Sequence, residues 1–213
     1  DYHLDASMWN SVRTTVLSIV LIVAFSFIVG YILSRIHFKL NRLIYVMFLM
    51  GMLIPIHSLL VPIYVVFKKC GLSNQWFTLL FPYVSFGLPM GIFLVEGYVK
   101  TVPVSLEEAA AIDGCGPIQT FFKIILPQLK PVTASVIIIT GVFCWNNYQF
   151  ALYLLQSPKM KTVTLAIAGF FSADAANMNG AAAAAFIGIL PVIVLFLFLQ
   201  KYFIQGMVDS AIK

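Results

Sequence analysis

The chain has 213 residues, 61% of them hydrophobic and 10% charged, with a mean hydropathy of +0.97 and a formal net charge of +5. Soluble domains carry about 25% charged residues, so this composition excludes a water-exposed globule and points to a lipid bilayer. The positive balance fits basic loops on the cytoplasmic side of a membrane; with no nucleic-acid motif beside it, it gives no ground for binding RNA or DNA.

The opening DYHLDASMWN has no initiator Met and no signal-peptide layout, and it reads as the interior of a longer, truncated or trimmed protein. Five apolar stretches then reach the roughly 20 residues a spanning helix needs. They run from about Thr14 to Leu33, Leu43 to Phe67, Trp76 to Tyr98, Val132 to Leu155 and Ala181 to Phe203. Several of them contain proline, which membrane helices accommodate as kinks. No alternating pattern supports a β-barrel. The fold class is therefore all-α: a single polytopic transmembrane domain over 1–213, with a polar loop at 105–127 inside it.

Orientation follows from basic residues near the helix ends. One choice puts eight inside (Arg35, Lys39, Arg42, Lys100, Lys123, Lys130, Lys201, Lys213) and five outside (Arg13, Lys68, Lys69, Lys159, Lys161). The loop at 105–127 and the C-terminus are then cytoplasmic and the N-terminus is outside. Cys70 and Cys115 fall on opposite sides, and the three cysteines show no CxxC or metal spacing.

Polar residues inside the spans are candidates for a translocation path. His57 sits near the middle of the second span, where an ionisable group is either functional or a neutral imidazole bonded to a helix carbonyl. Trp145, Asn146, Asn147 and Tyr148 place amides and aromatic faces in the fourth span. Such groups suit either a sugar path or helix–helix hydrogen bonds. Glu96 and Lys100 are spaced for a local ion pair. In the outer loop, TVTLAIAGFF is too short to span and suits a re-entrant or surface position. The adjoining NGAAAAAFIG allows close helix contact.

The loop SLEEAAAIDGCGPIQTFFKIILP has a pattern of its own. Ser105 and Glu108 form a capping box, the acids agree with the helix dipole, and Gly114 is placed for a left-handed cap. Three alanines keep this first helix slim. From Pro117, the residues Ile118, Phe121, Phe122, Ile125 and Leu129 form one apolar stripe. Local pattern alone leaves two readings open: a helix that enters a groove on a cytoplasmic partner, or a connector lying on the membrane surface.

A resemblance extends that pattern. Glu108-Ala109-Ala110, three residues, Gly114, nine residues, Ile124, one residue and Leu126-Pro127 is similar to the EAA loop of ABC importer permeases. CWNNYQFAL with KTVTLAIAGF, and the C-terminal ILPVIVLFLFLQKYFIQGMVDSAIK, resemble the carbohydrate-uptake branch, and within it the maltose-type "G" subunit. The chain departs from that branch by lacking its usual first span. The resemblance implies a type I importer permease that moves a sugar or oligosaccharide by alternating access. It implies a second permease subunit, two ATPase subunits carrying ATP and Mg, and an extracytoplasmic solute-binding protein. It also implies that the loop is a coupling helix, with Glu107, Glu108, Ala109, Ala110, Asp113 and Gly114 as its ATPase-facing residues. Glu107 has a solvated alternative, and the tail QGMVDSAIK would extend between the ATPase subunits.

The chain itself has no GxxxxGK[ST], so it holds no ATP site and no cofactor of its own. The resemblance further implies a permease subunit rather than an enzyme, in the membrane of a bacterial or archaeal cell. Two alternatives stand beside this reading: an ABC permease for another solute, or a secondary transporter or channel without an ATPase.

Overall fold

The computed structural model describes residues 4–171 and 178–211, with side chains to Lys201. Three helices are long and apolar enough to cross a membrane unbroken: α1 (Leu4–Arg35), α4 (Leu80–Thr101) and α11 (Met178–Ala211). Two helix pairs pass the same test only when taken together, each bent at a break that makes it a broken span or a re-entrant loop. One joins α2 (Asn41–Gly51) to α3 (Ile56–Lys69) across a 95° break, and the other joins the helical segment Pro117–Gln128 to α8 (Lys130–Asn146) across 73°. By length and composition that makes three spans, or five if each bent pair is one, and every element among the described residues is helical.

The bundle is inverted relative to a soluble protein. On α1 the buried positions include Ser7, Ser11, Thr14, Ser18 and Ser26, whereas Val16, Val20, Phe25 and Ile28 are exposed. In lipid the outward face gains nothing from polarity, and small residues inside let helix backbones approach. They do so on α4: a Cβ added to Gly91 would lie 2.1 Å from Ser26 Oγ. The core runs through this α1–α4 contact with α8 against both, and includes the fully buried Ile22, Tyr83, Ile92, Val95 and Phe150. Helix α11 packs on α8, and α2 lies beside α4.

Several boundaries differ from the sequence reading, each for a physical reason. The stretch 43–67 is not one helix. Pro55 holds an extended conformation (φ −64°, ψ 121°) ahead of α3 and has no amide to continue the ladder from α2. Pro62, by contrast, sits inside α3 without breaking it. The third span starts at Leu80 rather than Trp76, because residues 74–79 turn around Asn74 (φ +58°) and a Thr78 hydroxyl that donates to the Leu72 carbonyl at 2.6 Å. The fourth ends at Asn146, where Asn147 goes extended, and a short α9 (Gln149–Leu154) comes next.

The outer segment TVTLAIAGFF forms α10 (Val163–Gly169), packed on α1 and α11 with Val163, Leu165 and Ala166 buried. Ala181 and Ala184, in the alanine run, are each 2% exposed at that contact. Glu96 and Lys100 form the expected ion pair on α4. The expected path of the tail between ATPase subunits falls on side chains outside the described residues.

Candidate functional site: the loop between α4 and α8

Helix α5 (Ser105–Ile112) opens the loop. Its start lies one residue earlier than the capping box requires. Val104 already has helical angles (φ −64°, ψ −28°), and its carbonyl accepts the Glu107 and Glu108 amides at 2.9 and 3.1 Å. Ser105 is therefore inside the helix and makes no capping bond. Backbone carbonyls have taken the role expected of its hydroxyl. Glu107 and Glu108 still occupy the first turn, where the helix dipole favours acids.

The C-terminal end matches expectation closely. Gly114 has φ +82°, the Gly114 amide donates to the Ala111 carbonyl at 3.1 Å, and the Cys115 amide donates to Ala110 at 2.9 Å. This pair of bonds is a Schellman closure, which needs a residue that tolerates the left-handed region. Asp113, just before it, is exposed.

The two glutamates face different surroundings. Glu107 is held by its own chain: Tyr31 Oη donates to Glu107 Oε2 at 2.8 Å, and Arg35 Nε donates to Oε1 at 2.5 Å. Arg35 Nη2 also donates to the Val102 carbonyl at 2.6 Å. The Arg35 and Glu107 side chains are only 13% and 16% exposed. The Tyr31 ring continues the contact onto Phe121, 5.0 Å between centroids. The solvated reading of Glu107 does not hold, because its carboxylate is bonded within its own chain. Glu107 clamps α5 to the end of α1. Glu108 is exposed, and its carboxylate makes no hydrogen bond or ion pair among the described residues. The alanines divide likewise: Ala110 is buried against the bundle at 4% exposure, while Ala109 and Ala111 face out.

The second half of the loop is not one continuous amphipathic helix. It comprises α6 (Pro117–Thr120), a π-helical turn (Phe121–Ile125) and α7 (Leu126–Gln128). A π turn holds more residues than an α turn and shifts the register of the residues beyond it. The expected stripe is split: Phe121, Ile125 and Leu129 are buried, while Ile118, ahead of the π turn, and Phe122, inside it, are 76% and 58% exposed. Ile112 at the tip is 88% exposed. The loop thus presents an outward surface of Glu108, Ala109, Ile112 and Ile118 on a base fixed to the bundle. Tyr31 and Arg35 had no motif to announce them, because they reach this site from 72 or more positions away in sequence.

The candidate path residues also separate. Trp145 is buried and donates Nε1–H to the Gly188 carbonyl at 3.0 Å, a bond between α8 and α11. Asn147 is a joint: its Oδ1 accepts the Phe150 amide at 3.0 Å, and its carbonyl lies within reach of the Tyr83 and Thr164 hydroxyls at 3.4 and 3.3 Å. His57, Asn146 and Tyr148 are exposed. The imidazole of His57 accepts from the Gln149 amide rather than bonding a helix carbonyl.

The sequence profile described as "Binding-protein-dependent transport system inner membrane component" matches residues 22–209. The melibiose/raffinose/stachyose import permease protein MelC of Bacillus subtilis (strain 168) is 41% identical over 211 residues, which cover 99% of this chain and 76% of that protein. Among solved structures, a bacterial ABC transporter involved in import of the acidic polysaccharide alginate aligns with a TM-score of 0.80 at 23% identity, over 95% of this chain and 76% of that one. The inward-facing MetNI methionine ABC transporter aligns with a TM-score of 0.75 at 18% identity, over 93% of each chain. At those two identities the likeness is one of fold.

Proposed function

This chain belongs to the family of binding-protein-dependent transport system inner membrane components, and on that premise we propose that it carries a sugar or oligosaccharide across the membrane as one of two permease subunits. It is a membrane component, not an enzyme, and it has the helical fold of ABC importer permeases. The melibiose, raffinose and stachyose named for a relative 41% identical support a carbohydrate substrate. A permease for another solute is the second reading, favoured by the fold shared with a methionine transporter. A transporter or channel that works without an ATPase finds no support in this family.

In the proposed arrangement, two ATPase subunits holding ATP and Mg lie on the cytoplasmic side, and a solute-binding protein delivers sugar from the other. The 105–127 loop is cytoplasmic, and α5 docks in a cleft of one ATPase subunit. Glu108 supplies an ionic contact there, Ala109 leaves room for close approach, and Asp113 and Gly114 form the corner. ATP-driven closure of the ATPase pair moves α5, and the bundle alternates between inward- and outward-facing states. Because Glu107 is bonded to Arg35 and Tyr31, displacement of α5 is carried directly to α1.

The observation that carries this reading is the outward surface of the loop. Glu108 has no internal partner among the described residues, and Ile112 and Ile118 are 88% and 76% exposed on a rigid base. Apolar side chains displayed in this way beside an unpaired acid suit a protein interface.

The test is ATP hydrolysis by the reconstituted complex, stimulated by sugar-loaded binding protein. Glu108→Lys reverses the contact charge, and Gly114→Trp strains the left-handed corner. Each is expected to lower stimulated activity about tenfold or more, equivalent to a loss of about 1.4 kcal/mol or more. Wild-type stimulation in correctly inserted variants would reject the docking role.

A further inference from the structure

Helix α3 packs against α9, and the pairing of His57 with Gln149 and of Tyr64 with Gln156 sets the two segments in the same direction. His57 and Tyr64 are seven residues apart on α3, so they share one face about 10 Å apart along the axis. Gln149 and Gln156 are also seven apart, on the facing segment. Each glutamine meets its opposite number. The Gln149 amide donates to the His57 imidazole, and Gln156 Nε2 donates to the Tyr64 hydroxyl at 3.5 Å. Lys68 Nζ reaches the same hydroxyl at 3.4 Å and stands 5.6 Å from the centroid of its ring.

These rungs are open. His57 and Gln156 are exposed, and Tyr64 and Gln149 are half-buried. An amide or hydroxyl placed in hydrocarbon without hydrogen bonds is strongly disfavoured. Each glutamine amide has a carbonyl and two N–H groups and uses only one donor in its rung. Lipid cannot satisfy the remainder, so this seam faces water or a polar solute. Its chemistry is that of a polyol contact: neutral amides and an imidazole offering mixed donors and acceptors, beside a phenol with an aromatic face. The fixed charge, Lys68, stands at the outer end of α3.

We propose that the α3–α9 seam is a sugar-contact track contributed by this subunit, with Gln149 and Tyr64 as substrate-binding residues; it rests on the proposal that the substrate is a carbohydrate. It adds Gln149, Tyr64 and Gln156 to the path and retains His57, while Trp145 and Asn147 serve helix joints.

The test uses the complete complex in liposomes with its binding protein, and radiolabelled melibiose and raffinose as probes. Gln149→Leu removes the inner amide, and Tyr64→Phe keeps the ring but removes the outer hydroxyl. Each should lower sugar delivered per ATP hydrolysed by about fivefold and change the melibiose-to-raffinose uptake ratio. Gln149→Asn should restore part of the delivery. Unchanged sugar per ATP and an unchanged ratio in both variants would overturn the track. So would a disulfide from Gln149→Cys to the second permease subunit in the resting complex, since the seam would then be covered. A wild-type complex that hydrolyses ATP but imports neither sugar would instead reject the carbohydrate reading itself.

Discussion

Glu107 and Glu108 are adjacent and identical, yet they work in opposite directions. Glu107 turns inward onto Tyr31 and Arg35, with its side chain 16% exposed. Glu108 turns outward with no partner among the described residues. On a helix, neighbours in sequence point about 100° apart, so one can serve the bundle while the other serves a partner. Charge-assisted hydrogen bonds are worth about 1.5–3 kcal/mol each. Arg35→Met leaves the Glu107 carboxylate without its cation and is expected to lower the thermal stability of the purified complex by several degrees and to weaken stimulated hydrolysis. The exchange Arg35→Glu with Glu107→Arg should recover part of both. No recovery in the exchange, or full activity in Arg35→Met, would show that the clamp does not transmit motion. The sequence marked position 107 only as one acid of a pair. Its partners lie in α1, and no local pattern encodes a contact across 72 residues.

At the scale of elements, hydropathy locates the apolar stretches but not where they break. The stretch 43–67 is two helices across a 95° bend, and the stretch 132–155 breaks at Asn147 between α8 and α9. Pro55 shows why: the same residue type kinks, breaks or is absorbed according to whether the chain on its N-terminal side keeps helical angles. Pro62 was absorbed and Pro55 was not. The stripe from Ile118 to Leu129 was misread for a related reason. A periodicity of 3.6 assumes a regular helix, and the segment is interrupted by a π turn at Phe121–Ile125, within which Phe121 and Ile125 are buried and Phe122 is exposed.

Gly114, in contrast, was legible, because a left-handed corner leaves a glycine in the sequence. Helix contact makes its own prediction. Gly91 faces Ser26 at a distance that admits no Cβ, whereas Gly97 on the same helix has open space around it. Gly91→Val should destabilise the bundle by about 1–3 kcal/mol and reduce the yield of folded complex. Gly97→Ala should leave yield unchanged. Equal yields for the two variants would contradict the close packing of α1 on α4.

At the scale of the whole molecule, the inverted arrangement of α1 and the polar loop at 105–127 form one device. Lipid-facing helices are held together through small polar residues, and the segment that cannot lie in lipid is displayed at one end. Cys70 and Cys115 report on its orientation, since Cys70 is exposed, Cys115 is partly exposed and Cys144 is buried. A membrane-impermeant maleimide should label Cys70 from outside intact cells and Cys115 only in inverted vesicles. The reverse pattern would invert the proposed topology.

The central claim is that the tip of α5 is covered by an ATPase subunit, and Ile112, 88% exposed, is the position that reads it most directly. The measurement is maleimide labelling of Ile112→Cys, in a background with Cys70→Ser and Cys115→Ser, in inverted vesicles before and after the ATPase subunits are stripped away. The account predicts at least about tenfold slower labelling with the ATPase bound, because a docked side chain loses its contact with water. Equal labelling rates in the two preparations would contradict it.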